Sequence, residues 1–124
     1  SIYNMPIDDE RFARIAKALA DPRRFQILEE IANCREVGCQ RLCEQFPVAQ
    51  PTMSHHLKEL ARAGLIEPWR EGQFVFYRFR ADVLDEYVRA LDARLGMGAS
   101  GGARRVAEGR ARDADARLRR ETRS

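Results

Sequence analysis

A chain of 124 residues with 22 Lys and Arg against 19 Asp and Glu is one domain's worth of sequence, able to bury one modest core that often gains from pairing two copies. Its formal charge of +3 is uneven: residues 103–124 hold eight Arg and four acids, which leaves the remainder at −1, so any DNA contact by the folded part must come from a local stripe. No apolar run approaches the roughly 20 residues of a membrane span, no signal-peptide pattern opens the chain, and three cysteines argue for reduced thiols over a disulfide framework, so the expected setting is cytoplasmic with no membrane partner.

Residues 1–8 read as an N-terminal arm. Asp8 is placed to cap a helix starting near Asp9, with acids in the first turn where the helix dipole favours them. Phe12, Ile15, Ala16 and Leu19 form its apolar side, expected in core or dimer contact. Asp21-Pro22 marks a second helix, N-cap then first helical residue, running to about Asn33 with Phe25, Ile27, Leu28, Ile31 and Ala32 buried. Arg23 and Arg24 stand in its first turn, against the dipole; solvated surface or contact with a partner or phosphate would each account for them. Cys34 to Gly38 reads as a connection. A short helix from about Cys39 to Phe46 follows, anchored by Leu42 and Phe46, and Pro47-Val48-Ala49 forces a turn.

The stretch from Gln50 to Gly64 organises the rest. Pro51 suits a helix start and Gly64 the left-handed residue past its end. Met53, Leu57, Leu60 and Ala61 fall at i, i+4, i+7, i+8, one apolar stripe. The opposite face carries Gln50, Thr52, Ser54, His55, Lys58 and Arg62: hydrogen-bonding groups near the N-terminus and cations further along. That is the chemistry of a helix lying in a DNA major groove, though an amphipathic surface helix that binds nothing would show a polar face too; helix, tight turn, helix is the helix-turn-helix arrangement.

Two strand-like runs come next, Leu65 to Arg70 and Gln73 to Phe79, joined at Glu71-Gly72 as in a hairpin. In the second run Phe74, Phe76 and Arg78 alternate with Val75, Tyr77 and Phe79. Pro68 restricts the first run to an edge. A hairpin after a recognition helix is a wing, with Arg70 and Gln73 flanking its tip for phosphate or minor-groove contact. The last helix, about Ala81 to Leu95, repeats Leu84, Tyr87, Val88, Leu91 and Leu95 on one side. Packing on its own core or pairing with its copy across a two-fold axis would cover that side. The expected domain therefore spans 9–95, followed by a Gly-rich linker and a flexible Arg/Ala-rich tail over 96–124. The tail is either a source of weak, salt-sensitive DNA affinity or a solubilising extension.

The predicted fold class is mainly α with a β-hairpin wing, a winged helix-turn-helix. Leu19-Ala20-Asp21-Pro22-Arg23-Arg24, then Thr52 to Leu60, then Ala63-Gly64-Leu65-Ile66, and Arg70-Glu71-Gly72-Gln73 with Tyr77, together resemble the ArsR/SmtB family of bacterial repressors over about Asp9 to Leu95. The resemblance implies a homodimer joined through first and last helices, here Phe12, Ile15, Leu84, Tyr87, Val88 and Leu91. It implies repression of an inverted-repeat promoter operator in double-stranded DNA, relieved by an inducer. Carried over by position, Gln50, Thr52, Ser54, His55, Lys58 and Arg62 are the base and phosphate readers, and Arg70 and Gln73 serve the wing. His56 points nearer the core and is expected to pack or cap.

Metal-sensing members place two thiols in the helix before the turn. Aligned through Leu42, those ligand positions hold Gly38 and Gln40, with Cys39 between them, so that site does not carry over. A second family site pairs Asp with His on the last helix, which here has Asp82, Asp85, Glu86 and Asp92 but no histidine. Cys34, Cys39 and Cys43 still form a sequence cluster, with Cys39 and Cys43 neighbours on one helical face. They are candidates for arsenite or another thiophilic ion, for a thiol-reactive signal, or for small buried hydrophobes in a repressor with neither metal nor redox inducer. A winged helix used for protein contact is the competing class, disfavoured by the polar, basic recognition face. An enzyme is not expected, since no nucleophile–base–orienter set is readable.

Overall fold

The computed structural model describes residues 7–98 and 112–120. They fall into two compact units that divide between Tyr87 and Val88. Elements run in the order α1 (Asp9–Ala20), α2 (Pro22–Cys34), β1 (Glu36–Gly38), α3 (Cys39–Gln45), α4 (Gln50–Arg62), β2 (Ile66–Glu71), β3 (Phe74–Phe79) and α5 (Ala81–Leu95).

The start signals act as the sequence predicts. The Asp8 carboxylate accepts from the Arg11 backbone N–H at 2.8 Å and Asp21 from that of Arg24 at 2.9 Å, each satisfying one of the donors a helix N-terminus leaves over. Helix α4 closes on Gly64, whose φ of +78° lets the Leu65 N–H reach the Leu60 carbonyl at 3.1 Å. A Cβ on Gly64 would sit 3.6 Å from Val83. The wing turns on Gly72 and Gln73: Glu71 pairs with Phe74, and φ is positive at Gly72 but not at Gln73, as in a II′ hairpin.

In the first unit, Ile15, Ile27, Ile31, Leu42, Met53, Leu57, Leu60 and Leu65 are fully enclosed, so α1, α2, α3 and α4 meet over one core. The sheet order is β1-β3-β2, antiparallel throughout. Pro68 therefore lies on an edge strand, where its missing N–H costs no ladder bond.

Several expectations need correcting. Residues 34–38 are not a plain connection: α2 continues through Cys34, and Glu36–Gly38 is a third strand paired with β3, Val37 opposite Tyr77. Between them Arg35 carries φ 61° and ψ −59°, a strained turn with no glycine to announce it. Phe25 is 43% exposed rather than buried. Ile7, assigned to the arm, is buried; residues 1–6 lie outside the described residues. The α5 residue that enters the core is Val83, one position before the predicted stripe, whose Leu84 and Tyr87 are only half-buried.

In the second unit, α5 ends with the Met97 N–H on the Asp92 carbonyl at 3.0 Å and Gly96 at φ +66°. Val88 and Leu95 are exposed. Residues 112–120 of the expected tail form a helix exposed along its length; the linker and tail at 99–111 and 121–124 lie outside the described residues. Among the described residues no helix is long and apolar enough to cross a membrane.

Candidate nucleic-acid interface

Helix α4 is held from one side only. Met53, His56, Leu57 and Leu60 are buried, while Gln50, Thr52, Ser54, His55, Lys58 and Arg62 are all exposed. The buried set recurs at i, i+3, i+4 and i+7, so the polar set occupies the opposite face. The N-terminus of α4 differs from those of α1 and α2. Its N-cap is Ala49, with no side-chain hydrogen bond, so the first backbone N–H groups and the positive end of the dipole are left for an outside acceptor. An aspartate there, as at α1 and α2, would instead repel a phosphate. No acid stands in the first turn. Arg62 is partly neutralised by Glu59 at 3.4 Å, which leaves Lys58 as the cation of the exposed face that no carboxylate approaches within ion-pair distance among the described residues.

Arg70 and Gln73 are both exposed on the hairpin, Arg70 opposite Val75 and Gln73 in the turn. The hairpin is stiffened by Trp69, which stacks on Phe76 at 4.6 Å between ring centroids. Its indole Nε1 is buried without a partner.

The two arginines left open by sequence are tied into the protomer. Arg23 lies 5.9 Å over the Phe46 ring and donates to Gln26 at 3.1 Å. Arg24 is largely covered and stands 3.9 Å from the Asp21 carboxylate. The Arg23–Phe46 contact binds α2 to the end of α3 just before the turn. His56 packs on the inner side of α4 with Nδ1 buried and unpaired. Burial holds its pKa below the usual histidine value, against the pull of Asp21 and with Arg24, His55 and Arg23 adding to the depression. Asp21 is itself held below the usual carboxylate range, chiefly by the Arg24 backbone N–H.

The thiols do not gather as their spacing suggested. Cys34 points along its own helix and donates to the Glu30 carboxylate at 3.1 Å, which raises its pKa. Cys39 and Cys43 lie together on α3, and burial, then the neighbouring Cys43, pushes Cys39 up as well. Tyr77 of β3 is raised by burial and by these two thiols. Among the described residues no three His, Cys, Asp or Glu form a group that could hold a metal ion. The three thiols are therefore not brought together: Cys34 turns to Glu30, apart from Cys39 and Cys43 on α3.

Of the residues assigned to dimer contact, Ile15 is completely buried within its own protomer and has no surface to offer a partner. Phe12 and Tyr87 meet as a tilted ring pair with centroids 4.9 Å apart and both remain half-exposed, as does Leu84. Val88 is 52% exposed, and Leu91 is partly covered. Arg11 and Glu86, 3.5 Å apart, join α1 to the start of α5.

Comparison with known proteins gives a consistent set. A family model described as a helix-turn-helix domain matches residues 19–68, from the end of α1 into β2. An HTH-type transcriptional regulator of Methanocaldococcus jannaschii is 34% identical over 83 residues, 67% of this chain and 93% of that protein. The arsenical resistance operon repressor of Staphylococcus xylosus is 34% identical over 83 residues, 67% of this chain and 79% of the relative. Among solved structures, an ArsR-like transcriptional regulator from Rhodococcus sp. RHA1 matches with a TM-score of 0.65 and 27% identity, covering 80% of this chain and 89% of the other. A homodimeric winged helix-turn-helix DNA-binding domain from Mycobacterium bovis matches with a TM-score of 0.57 and 31% identity, covering 68% and 79%.

Proposed function

The chain belongs to the ArsR family of helix-turn-helix transcriptional regulators, and on that premise we propose that it acts as a homodimeric repressor reading an inverted-repeat operator with the outer face of α4. The observation that carries this reading is the one-sided burial of α4: its apolar positions are used up by the core, and Gln50, Thr52, Ser54, His55 and Lys58 remain free together. Gln50 at the uncapped N-terminus is suited to adenine, and Lys58 to guanine or phosphate. Arg70 and Gln73 engage the backbone or minor groove beside it. Arg62 contributes less, because Glu59 already offsets it.

Two copies joined through α1 and α5 would set the recognition helices about 34–36 Å apart, one turn of DNA. Phe12, Leu84 and Tyr87, with Val88 and Leu91 further along α5, supply the apolar surface for that pairing; Ile15 does not. The matched homodimeric relative supports the same assembly.

The deciding experiment is a gel shift with fragmented genomic DNA at rising salt. Retention of a subset of fragments, with log affinity falling linearly in log salt, supports the reading. Equal retention of every fragment, or none at low salt, overturns it.

A further inference from the structure

A groove in the first unit opens between α3 and β3, with a volume of about 880 Å³, within the size range of small-molecule sites. Phe74 and Phe76 form one wall and Cys39 and Cys43 the other, with Gln50 and Gln73 at its edges. Three features of this lining bear on what would fill it. First, it is soft and uncharged at its centre: burial and the neighbouring Cys43 keep the Cys39 thiol protonated, and a protonated thiol behaves as a small, polarisable hydrophobe. Second, the two charged residues of the lining, Arg41 and Glu44, are of opposite sign, so the groove selects for neither a cation nor an anion. A DNA phosphate is thereby a poor occupant. Third, Phe74 is 51% exposed on the strand whose Phe76 is stiffened by the Trp69 stack. A flat ring can lie along a wall already fixed in place.

We propose that this groove is an effector site for an uncharged, flat, largely apolar molecule, and that its occupancy weakens DNA binding. The coupling rests on the DNA reading above. Gln50 starts the recognition helix, Gln73 forms the wing tip, and both border the groove, so an occupant spreading them changes the spacing between two DNA-contacting elements. No third thiol or metal takes part, which separates this site from a thiolate cage.

The groove is tested with N-phenyl-1-naphthylamine, an uncharged two-ring aromatic whose fluorescence rises in apolar surroundings, added to the full chain under reducing conditions. The expected result is a saturable rise with one probe per protomer. Phe74→Ala should weaken it at least tenfold, whereas Phe25→Ala, on α2 and off the groove, should leave it unchanged. Gly38→Leu fills the groove from the neighbouring strand, where even a Cβ would stand 3.6 Å from the Phe76 ring; it should abolish binding with an unaltered circular dichroism spectrum. Saturating probe should also slow iodoacetamide modification of Cys39 and Cys43 but not of Cys34. On a DNA fragment retained by the protein, the probe should raise the Kd at least tenfold, and the DNA should lower probe affinity by the same factor. Binding indifferent to both Phe74→Ala and Gly38→Leu, or no protection of the α3 thiols, overturns the site. Probe binding that leaves the DNA Kd unchanged overturns the coupling. If no DNA fragment is retained at all, the repressor reading fails instead, while the fluorescence and protection arms still decide the groove.

Discussion

Two side chains that differ by two positions on α4 do opposite work, and substitutions separate them. Lys58 faces out, so Lys58→Ala should weaken binding to all retained sequences and lower the salt slope by about one. Gln50→Ala should instead relax choice at one base pair, with a loss of discrimination of about 1–3 kcal/mol; competition gel shifts with single-base operator variants measure both. His56 faces in. Its folded pKa lies below the usual histidine value because burial disfavours the cation, so the unfolded chain binds the proton more readily and stability falls as pH drops through the unfolded value near 6.5. Melting followed from pH 7.5 to 5.5 should show a loss of stability that His56→Gln reduces. A His56→Gln variant with an unchanged pH slope would place the acid sensitivity elsewhere. Asp21, whose depressed pKa contributes stability above the usual carboxylate value, titrates in a lower window and does not confuse the test.

At the scale of elements, the punctuation residues carried most of the information. Asp8, Asp21-Pro22, Pro51, Gly64 and Glu71-Gly72 each act locally, through a cap, a fixed φ or a left-handed turn, and the helices and hairpin begin and end beside them. Gly64→Ala should accordingly cost about 1 kcal/mol from the left-handed backbone alone, since the added methyl meets Val83 at an ordinary 3.6 Å. The readout is a lower denaturant midpoint with an unchanged slope. What stayed hidden depends on distant partners. Strand β1 has three residues, too few to show an alternation, and it is a strand because β3 passes beside it. An amphipathic stripe likewise does not say whether each apolar residue meets its own core or another copy. Ile15 and Phe12 lie on one stripe, yet the first is sealed inside and the second is not. The cysteine spacing misled for the same reason: Cys34 finished α2 and turned to Glu30, so nearness in sequence to Cys39 did not become nearness of thiols.

For the whole molecule, the proposed two-fold pairing makes a distinct prediction. Tyr87→Glu would place a charge in the ring pair with Phe12 and on the apolar surface assigned to the partner, and burying that charge is costly. Sedimentation should show the parent chain as a dimer and the variant shifted to monomer at the same concentration. DNA affinity should fall far more for a two-half-site fragment than for a single half-site. A monomeric parent chain that still selects its fragment would overturn the pairing. The β1–β3 ladder bears on how such a dimer is adjusted on DNA. Because Glu36–Gly38 leads without a break into α3 and is laced to the wing's inner strand, the wing is no independent flap. A tug on its tip travels through backbone hydrogen bonds to α3, the helix that precedes the reading helix across the turn, so the two should shift as one lever, and amide exchange at Val37 and Tyr77 should slow together when the protein seats on its operator.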